Sequence, residues 1–440
     1  MVFKMAATAP LFLEQLTTQN YFLAVFYIIA TIGVLLGAMA VICIDGGLVA
    51  PENLVKTVTQ KVVSFFVSAV SFSAIGYAVW NWQYYQGLGV ENSFLISVND
   101  WSLLGSKINF AAQYIDPKEV GSADMSQIFF AFFFCFAGLC AVLIQGAGLE
   151  RLKDSACYWM SAVVGAVLVP VIAYLLYGSA SPLTNAGVHD FVGASSLYLV
   201  VGIWGLLLAW RLGHRKGDAH PPGNFVLLWL GVLLLMLAIP MFVIGCGFLI
   251  PGMGYFGPTL ASTGLGLVFN NIFMAMGGGA VCGALIAKKT ENHSYILLGP
   301  IAGYIACSAI YDVAVPWQAG ICGFAGPMLL VLGEMLVKKI GLDEPKVAPL
   351  TVLPAVFSIL AAGIVGAGAK QGGVIGVEQG EFTFQHATVG MSMQLYGLVI
   401  VVVVTTALAA ATIFLIEKCI GLRESETVER DEPEAFPSSI

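Results

Sequence analysis

Charge is scarce in this chain. Asp, Glu, Lys and Arg make up 10% of 440 residues, where a soluble domain carries about 25%. That shortage excludes a water-solvated globule, and the scattered basic residues form no patch for nucleic acid. Histidine is limited to His189, His214, His220, His293 and His386. His214 and His220 share a basic loop, RLGHRKGDAH, at a spacing that marks no metal site. The glycine runs GMGYFG and AMGGGAVCG lack the Lys-Ser/Thr that completes a phosphate-binding loop, and GGGAVCGALIA reads as close helix packing in a bilayer. The cysteines, Cys43, Cys135, Cys140, Cys157, Cys246, Cys282, Cys307, Cys322 and Cys419, fit no zinc or redox spacing and read as small packing residues. The first nineteen residues lack the charged start, apolar core and cleavage site of a secretory signal. An enzyme, a cofactor and a resident metal are therefore not expected.

What is abundant is apolar. Hydrophobic residues reach 58%, glycine numbers 50, and mean hydropathy is +0.88. The chain reads as an all-α polytopic membrane protein. Windows of membrane length fall at 21–44, 61–80, 127–149, 156–177, 194–212, 223–249, 261–287, 295–313, 317–337, 349–368 and 391–417. With eleven spans, only Lys4, Lys107, Lys118 and Lys370 of the 19 basic residues fall on the side of the N-terminus. The positive-inside rule then predicts the N-terminus outside and the C-terminus in the cytoplasm of a cell membrane. The organisation expected is an outer segment over 1–20, a membrane domain over 21–420 and an acidic tail over 421–440. Trp80, Trp82, Tyr84, Tyr85 and Trp101 fall in the longest outer loop, as an interfacial aromatic belt or as a vestibule.

Polar groups inside or beside the spans are the functional candidates, because charge and hydrogen-bonding groups in hydrocarbon are costly. Asp190, in VHDFVG, opens an apolar run; it caps a helix, tunes a pore mouth, or both. Asn270 and Asn271 lie within span seven, either to bind a solute or to bridge helices. Asp45 lies near the inner end of span one. Asp312 precedes Pro316 at an outer loop. Glu334 stands four residues before Lys338, a helical ion-pair spacing.

Several short stretches carry a resemblance. Asp45-Gly46-Gly47-Leu48-Val49 is close to FYGGLV, and Gly146-Ala147-Gly148-Leu149-Glu150-Arg151 to GAxAER. Asp190-Phe191-Val192-Gly193-Ala194 is close to DFAGG, Gly299-Pro300-Ile301-Ala302-Gly303 to GxxAG, and Gly341-Leu342-Asp343-Glu344-Pro345 to an IDDP loop. In order and spacing these resemble the ammonium transporter (Amt/Rh/methylammonium permease) family. The resemblance implies an eleven-helix bundle with pseudo-twofold inverted repeats, a homotrimer with one pore per subunit, and a cytoplasmic regulator at the inner face. It implies an outer aromatic site, stacked phenylalanine gates and two pore histidines, with an important Asp mapping to Asp190.

Carried over position by position, the resemblance breaks where it is most specific. The first pore histidine, eight residues after the Asp, is Tyr198. The second, counted from Asp343, is Val352. The outer tryptophan maps near Tyr177, the outer gating phenylalanine to Phe136, and the inner one to Leu235; Phe132 belongs to the same aromatic run as Phe136. Paired imidazoles hydrogen-bond an amine or pass a proton, and Val352 does neither. Three readings follow: passage of ammonium, passage of another small solute such as a methylated amine or other organic cation, or a closed pore serving as a sensor or regulatory subunit.

Overall fold

The computed structural model describes residues 10–215, 221–344 and 346–423; nearly all of the acidic tail, and His220, lie outside them. Among the described residues ten helices are long and apolar enough to cross a membrane. In chain order they are α1 Thr18–Leu48, α2 Leu54–Gly87, α3 Ala123–Gln145, α4 Asp154–Leu176, α5 Ala194–Leu212, α6 Phe225–Gly245, α7 Leu265–Thr290, α9 Pro316–Lys339, α10 Val347–Val365 and α11 Met391–Ile420. A shorter apolar helix, α8 Ser294–Ile305, stands between α7 and α9.

All eleven expected spans have helical counterparts, but the eighth is helix for only part of its length. The span expected at 295–313 is helical only to Ile305, and turns carry the chain on to Pro316. Non-helical backbone is tolerated at membrane depth only where protein buries it and supplies its hydrogen bonds. Ala306–Asp312 are buried throughout. The Ala309 amide donates to Ser358 Oγ at 2.8 Å, and Asn271 Nδ2 donates to the carbonyls of Tyr311 and Ala314 at 2.8 and 2.7 Å. Asn271 thus bridges elements, as one of its two readings anticipated.

The loops rich in lysine and arginine meet at one end, here the basic end. Glu150 Oε1 accepts from the Ala50 amide, Asp343 ties Arg215 to Arg151, and Lys153 Nζ reaches the Ile420 carbonyl. The opposite end is closed by a three-stranded sheet, β1 Phe248–Ile250, β2 Gly254–Phe256 and β3 Ser262–Thr263, and by a two-stranded one, β4 Lys370–Gln371 with β5 Ala387–Thr388.

Glycine brings helices α7, α8 and α9 together. A Cβ on Gly279 would lie 2.2 Å from the Gly299 carbonyl, and one on Gly323 would lie 2.2 Å from that of Ala275. Only backbones without side chains fit this closely, as the GGGAVCGALIA run anticipated.

Two expectations are corrected here. The second helix is longer than 61–80, so Trp80, Trp82, Tyr84 and Tyr85 lie on its last turns rather than in a loop. Trp80 and Trp101 are buried, with Trp80 4.8 Å from Phe133, which makes them core rather than an interfacial belt. Lys61, the first residue of the expected span, is a buried residue within the same helix.

Candidate functional site

The local geometry begins with Asp190. Gly193 adopts φ 94°, a left-handed conformation that glycine takes without steric cost. This turns the chain so that four successive amides, Gly193 to Ser196, converge on the Asp190 carboxylate at 2.8–3.0 Å. Ser196 Oγ donates to it as well, at 3.2 Å. Burial raises the carboxyl's pKa, and the amides act against that rise. The first turns of α5, Ala194–Leu199, are wound as a wide π-helix, a form often found at functional sites. The capping reading of Asp190 therefore describes the geometry, and the cap aims Ser196 and Tyr198.

Two spaces flank this turn. On the sheet side, a pocket of about 20 Å³ is lined by Phe132, Phe133 and Phe136 of α3, Val169 and Ala173 of α4, Tyr177, and Ser196. That is room for about one water-sized molecule. Phe132 and Phe136 stack with ring centroids 6.5 Å apart, and the Tyr177 hydroxyl donates to the Cys246 carbonyl at 2.6 Å. On the other side, a cavity of about 1000 Å³ extends to the basic end, with Tyr198, Tyr304, Phe242 and Thr351 among its lining residues. The first pocket includes Phe136 and Ser196; the second includes Leu139 and Tyr198. On α3 and α5 alike, less than one helical turn separates them.

Tyr198 donates its hydroxyl proton to Tyr304 Oη at 2.7 Å, and Tyr304 retains a proton to offer. Tyr304 was not among the residues anticipated; it lies 106 residues away in the chain, and no local pattern joins the two. Thr351 is the polar residue of α10 that lines the cavity, its hydroxyl donating to the Val347 carbonyl at 2.7 Å. Val352 lines neither space and faces Gly202 of α5, where a Cβ would meet its Cγ2 at 2.4 Å. Leu235 lines the large cavity. Asn270 lines neither space and is exposed on α7, so of the adjacent pair it is Asn271 that is engaged.

Near the basic end, Asp45 is buried between two lysines. Lys61 Nζ lies 2.6 Å from Asp45 Oδ2 and donates to the Val142 carbonyl at 2.8 Å. Lys346 Nζ contacts Asp45 Oδ1. Side-chain exposures are 0% for Asp45, 1% for Lys61 and 19% for Lys346, which lines the large cavity. Burial pushes the Lys346 amine down to about 7, while the adjoining carboxylate favours its charged form. Along the same cavity, burial would raise the Asp343 carboxyl, but Arg215 and Arg151 hold it below its ordinary value. Glu334 takes its hydrogen bond from the Tyr295 hydroxyl, the partner found in place of the Lys338 spacing.

At the sheet end, His189 is fully buried. Its Nε2 lies 2.9 Å from Asp312 Oδ1, and its Nδ1 lies 2.8 Å from Gln371 Oε1 and 3.1 Å from Thr259 Oγ1. Gln371 Nε2 donates to two carbonyls, Thr184 and Val188, so its oxygen is the acceptor and Nδ1 carries a proton. Burial opposes a charged ring, but Asp312 and Gln371 outweigh it, and the His189 pKa is raised.

Comparison with known proteins places this architecture. The family model described as Ammonium Transporter Family matches residues 25–436. Ammonium transporter Amt2 of Methanocaldococcus jannaschii is 28% identical over 381 residues, covering 82% of this chain and 82% of that protein. Ammonium transporter Amt1 of the same organism is 26% identical over 271 residues, covering 59% of this chain and 66% of that protein. A solved structure titled "Sensor Amt Protein" has a TM-score of 0.70 at 18% identity and covers 92% of this chain and 96% of its own. At that identity the likeness is one of fold.

Proposed function

Because the chain belongs to the ammonium transporter family, whose general role is membrane transport rather than catalysis, we propose that it passes a small amine or related small solute through a pore in each protomer. The observation that carries this reading is the pair of spaces separated by less than one helical turn at Phe136–Leu139 and Ser196–Tyr198. The smaller one has the size of a single water and walls of phenylalanine, where a small cation trades water for aromatic faces. Past it, the Tyr198–Tyr304 hydroxyl pair offers a donor and an acceptor where the family resemblance leads one to expect histidine. Asp190 acts through the backbone it holds, and Tyr177, Phe132 and Leu235 shape the walls.

In this reading the basic end is cytoplasmic and the sheet end is outside, with the charge bias of the loops as support. The protein works as a homotrimer in the cell membrane, and a cytoplasmic regulator has the basic end as its docking face.

The test is solid-supported membrane electrophysiology on protein in liposomes, with pulses of ammonium, methylammonium, trimethylamine, choline and sodium. A saturable current for one amine is expected. Phe136→Ala should weaken its apparent affinity by about threefold to thirtyfold, the span of one cation–π contact, and Tyr198→Phe should lower it as well. Silence for every cation, with stopped-flow measurements showing no passage of uncharged amine, would sink the transport reading and favour a sensor with a closed pore.

A further inference from the structure

The buried His189 cluster at the sheet end plays no part in the proposed passage, yet it joins the two segments that carry the pore tyrosines. His189 precedes Asp190, whose carboxylate holds the turn that leads to Tyr198. Asp312 follows Tyr311, whose ring stacks on Tyr304 with centroids 5.9 Å apart and whose hydroxyl donates to the Tyr304 carbonyl at 2.8 Å. Between these ends the two segments are tied once more, the Val192 amide donating to the Ser308 carbonyl at 2.8 Å. The His189 ring also meets Gln371 of β4 and Thr259 from the loop between β2 and β3, and Gln394 of α11 donates to the His189 carbonyl. One imidazole thus fastens the pore-mouth turn to the Tyr304 segment and to both sheets.

The contacts of that ring fix its protons. Gln371 gives its amide hydrogens to two carbonyls, so its oxygen takes a proton from Nδ1. Asp312 Oδ1, 2.9 Å from Nε2, needs a proton between them as well. Asp312 Oδ2 has no hydrogen-bond partner among the described residues and lies where a Cβ on Gly257 would collide with it, so the carboxylate leans on the ring. A neutral imidazole carries one N–H, and beside an ionised Asp312 it must give up either Asp312 or Gln371. Of charged groups, Asp312 and Asp190 bear on the ring; Gln371, Thr259 and Gln394, which meet it from other elements, are neutral. Burial lowers the pKa of the ring, but Asp312, with Gln371 and Asp190, outweighs it. The second proton is therefore held below that raised value and lost as pH climbs through it.

We propose that His189 and Asp312 are positioning residues for passage: the proton shared between them fastens the outer mouth and sets Tyr198 against Tyr304, and its loss at higher pH on the sheet side loosens the mouth and slows the solute. The proposal rests on the reading that solute passes this tyrosine pair. It makes pH on the sheet side a regulator of that passage.

The experiment follows hydrogen exchange and flux together, on the full chain in liposomes. Amide protection in peptides covering residues 187–199, corrected for the intrinsic exchange rate at each pH, is read by mass spectrometry. Between pH 6 and pH 8.5 it should fall by about tenfold, the worth of one hydrogen bond to a charged group. The saturating methylammonium current should fall over the same interval, in which this alkylamine, like a lysine side chain, stays almost wholly protonated. An amide accepts from an N–H or, turned over, donates to a bare ring nitrogen, so Asp312→Asn should flatten both profiles. His189→Gln should hold both at the high-pH level.

Protection that does not change with pH, or that falls as steeply in Asp312→Asn, would overturn the proposal. A current that holds steady while protection falls would overturn it too, and would leave transport standing. A fall in protection that Asp312→Asn flattens, in protein that passes no amine in either form, would keep the proton-held mouth and remove the transport reading.

Discussion

Asp190 holds four amides and a hydroxyl, so its replacement reaches beyond the loss of an ordinary helix cap. Asp190→Ala should lower stability by at least about 2 kcal/mol, since hydrogen bonds to a charged group are the strong ones. Asp190→Asn should fall between, and thermal unfolding in detergent checks both. His189 makes a pH prediction. Its pKa in the folded protein is raised above the ordinary value, so the stabilisation is fully present below about 6.5 and declines as pH rises through the raised value. Detergent Tm should therefore be higher at pH 6 than at pH 8.5, with the gap narrowed in Asp312→Asn. Asp190 was legible in the sequence because an Asp before a long apolar run stands out. The pairing of His189 with Asp312 was not, because the partners are separated by 123 residues. Val352 shows a different limit. One residue along a helix turns a side chain by about 100°, so a count along the chain does not say that Thr351, and not Val352, faces the cavity.

At the scale of elements, hydropathy reads helices well and their ends poorly. The second helix outran its apolar window in both directions because Lys61 is buried in an ion pair and its last turns, NWQYYQG, meet the short helix that follows, Trp82 against Ser93 and Phe94 and Tyr85 against Asp100 and Trp101. Neither partner is visible to a sliding window. The glycine contacts make a sharper test. Gly279→Ala places a Cβ 2.2 Å from the Gly299 carbonyl, whereas at Gly277 nothing lies within 4 Å. Gly279→Ala should lower the monodisperse yield in size-exclusion chromatography, and Gly277→Ala should not. Ser358→Ala removes the acceptor of the buried Ala309 amide, at a cost of about 1–3 kcal/mol, read as a loss of thermal stability.

For the whole molecule, family and helical membrane architecture were both visible from composition, hydropathy and scattered motifs, because these are properties of many residues at once. The orientation is tested at Cys419, an exposed thiol at the basic end. A membrane-impermeant maleimide should label it in inside-out vesicles and spare it in right-side-out ones. Native mass spectrometry should find three protomers together. The short α8 has a consequence for biogenesis. Its 12 residues rise about 18 Å, well short of the ~30 Å hydrocarbon core. A translocon sorting segments one at a time would have little reason to release it sideways into lipid. Its turn is completed by Asn271 from before it and Ser358 from after it, so α7 to α10 should enter the bilayer as a group. Truncation after α9 should leave the α8 region open to protease, and extension through α10 should close it.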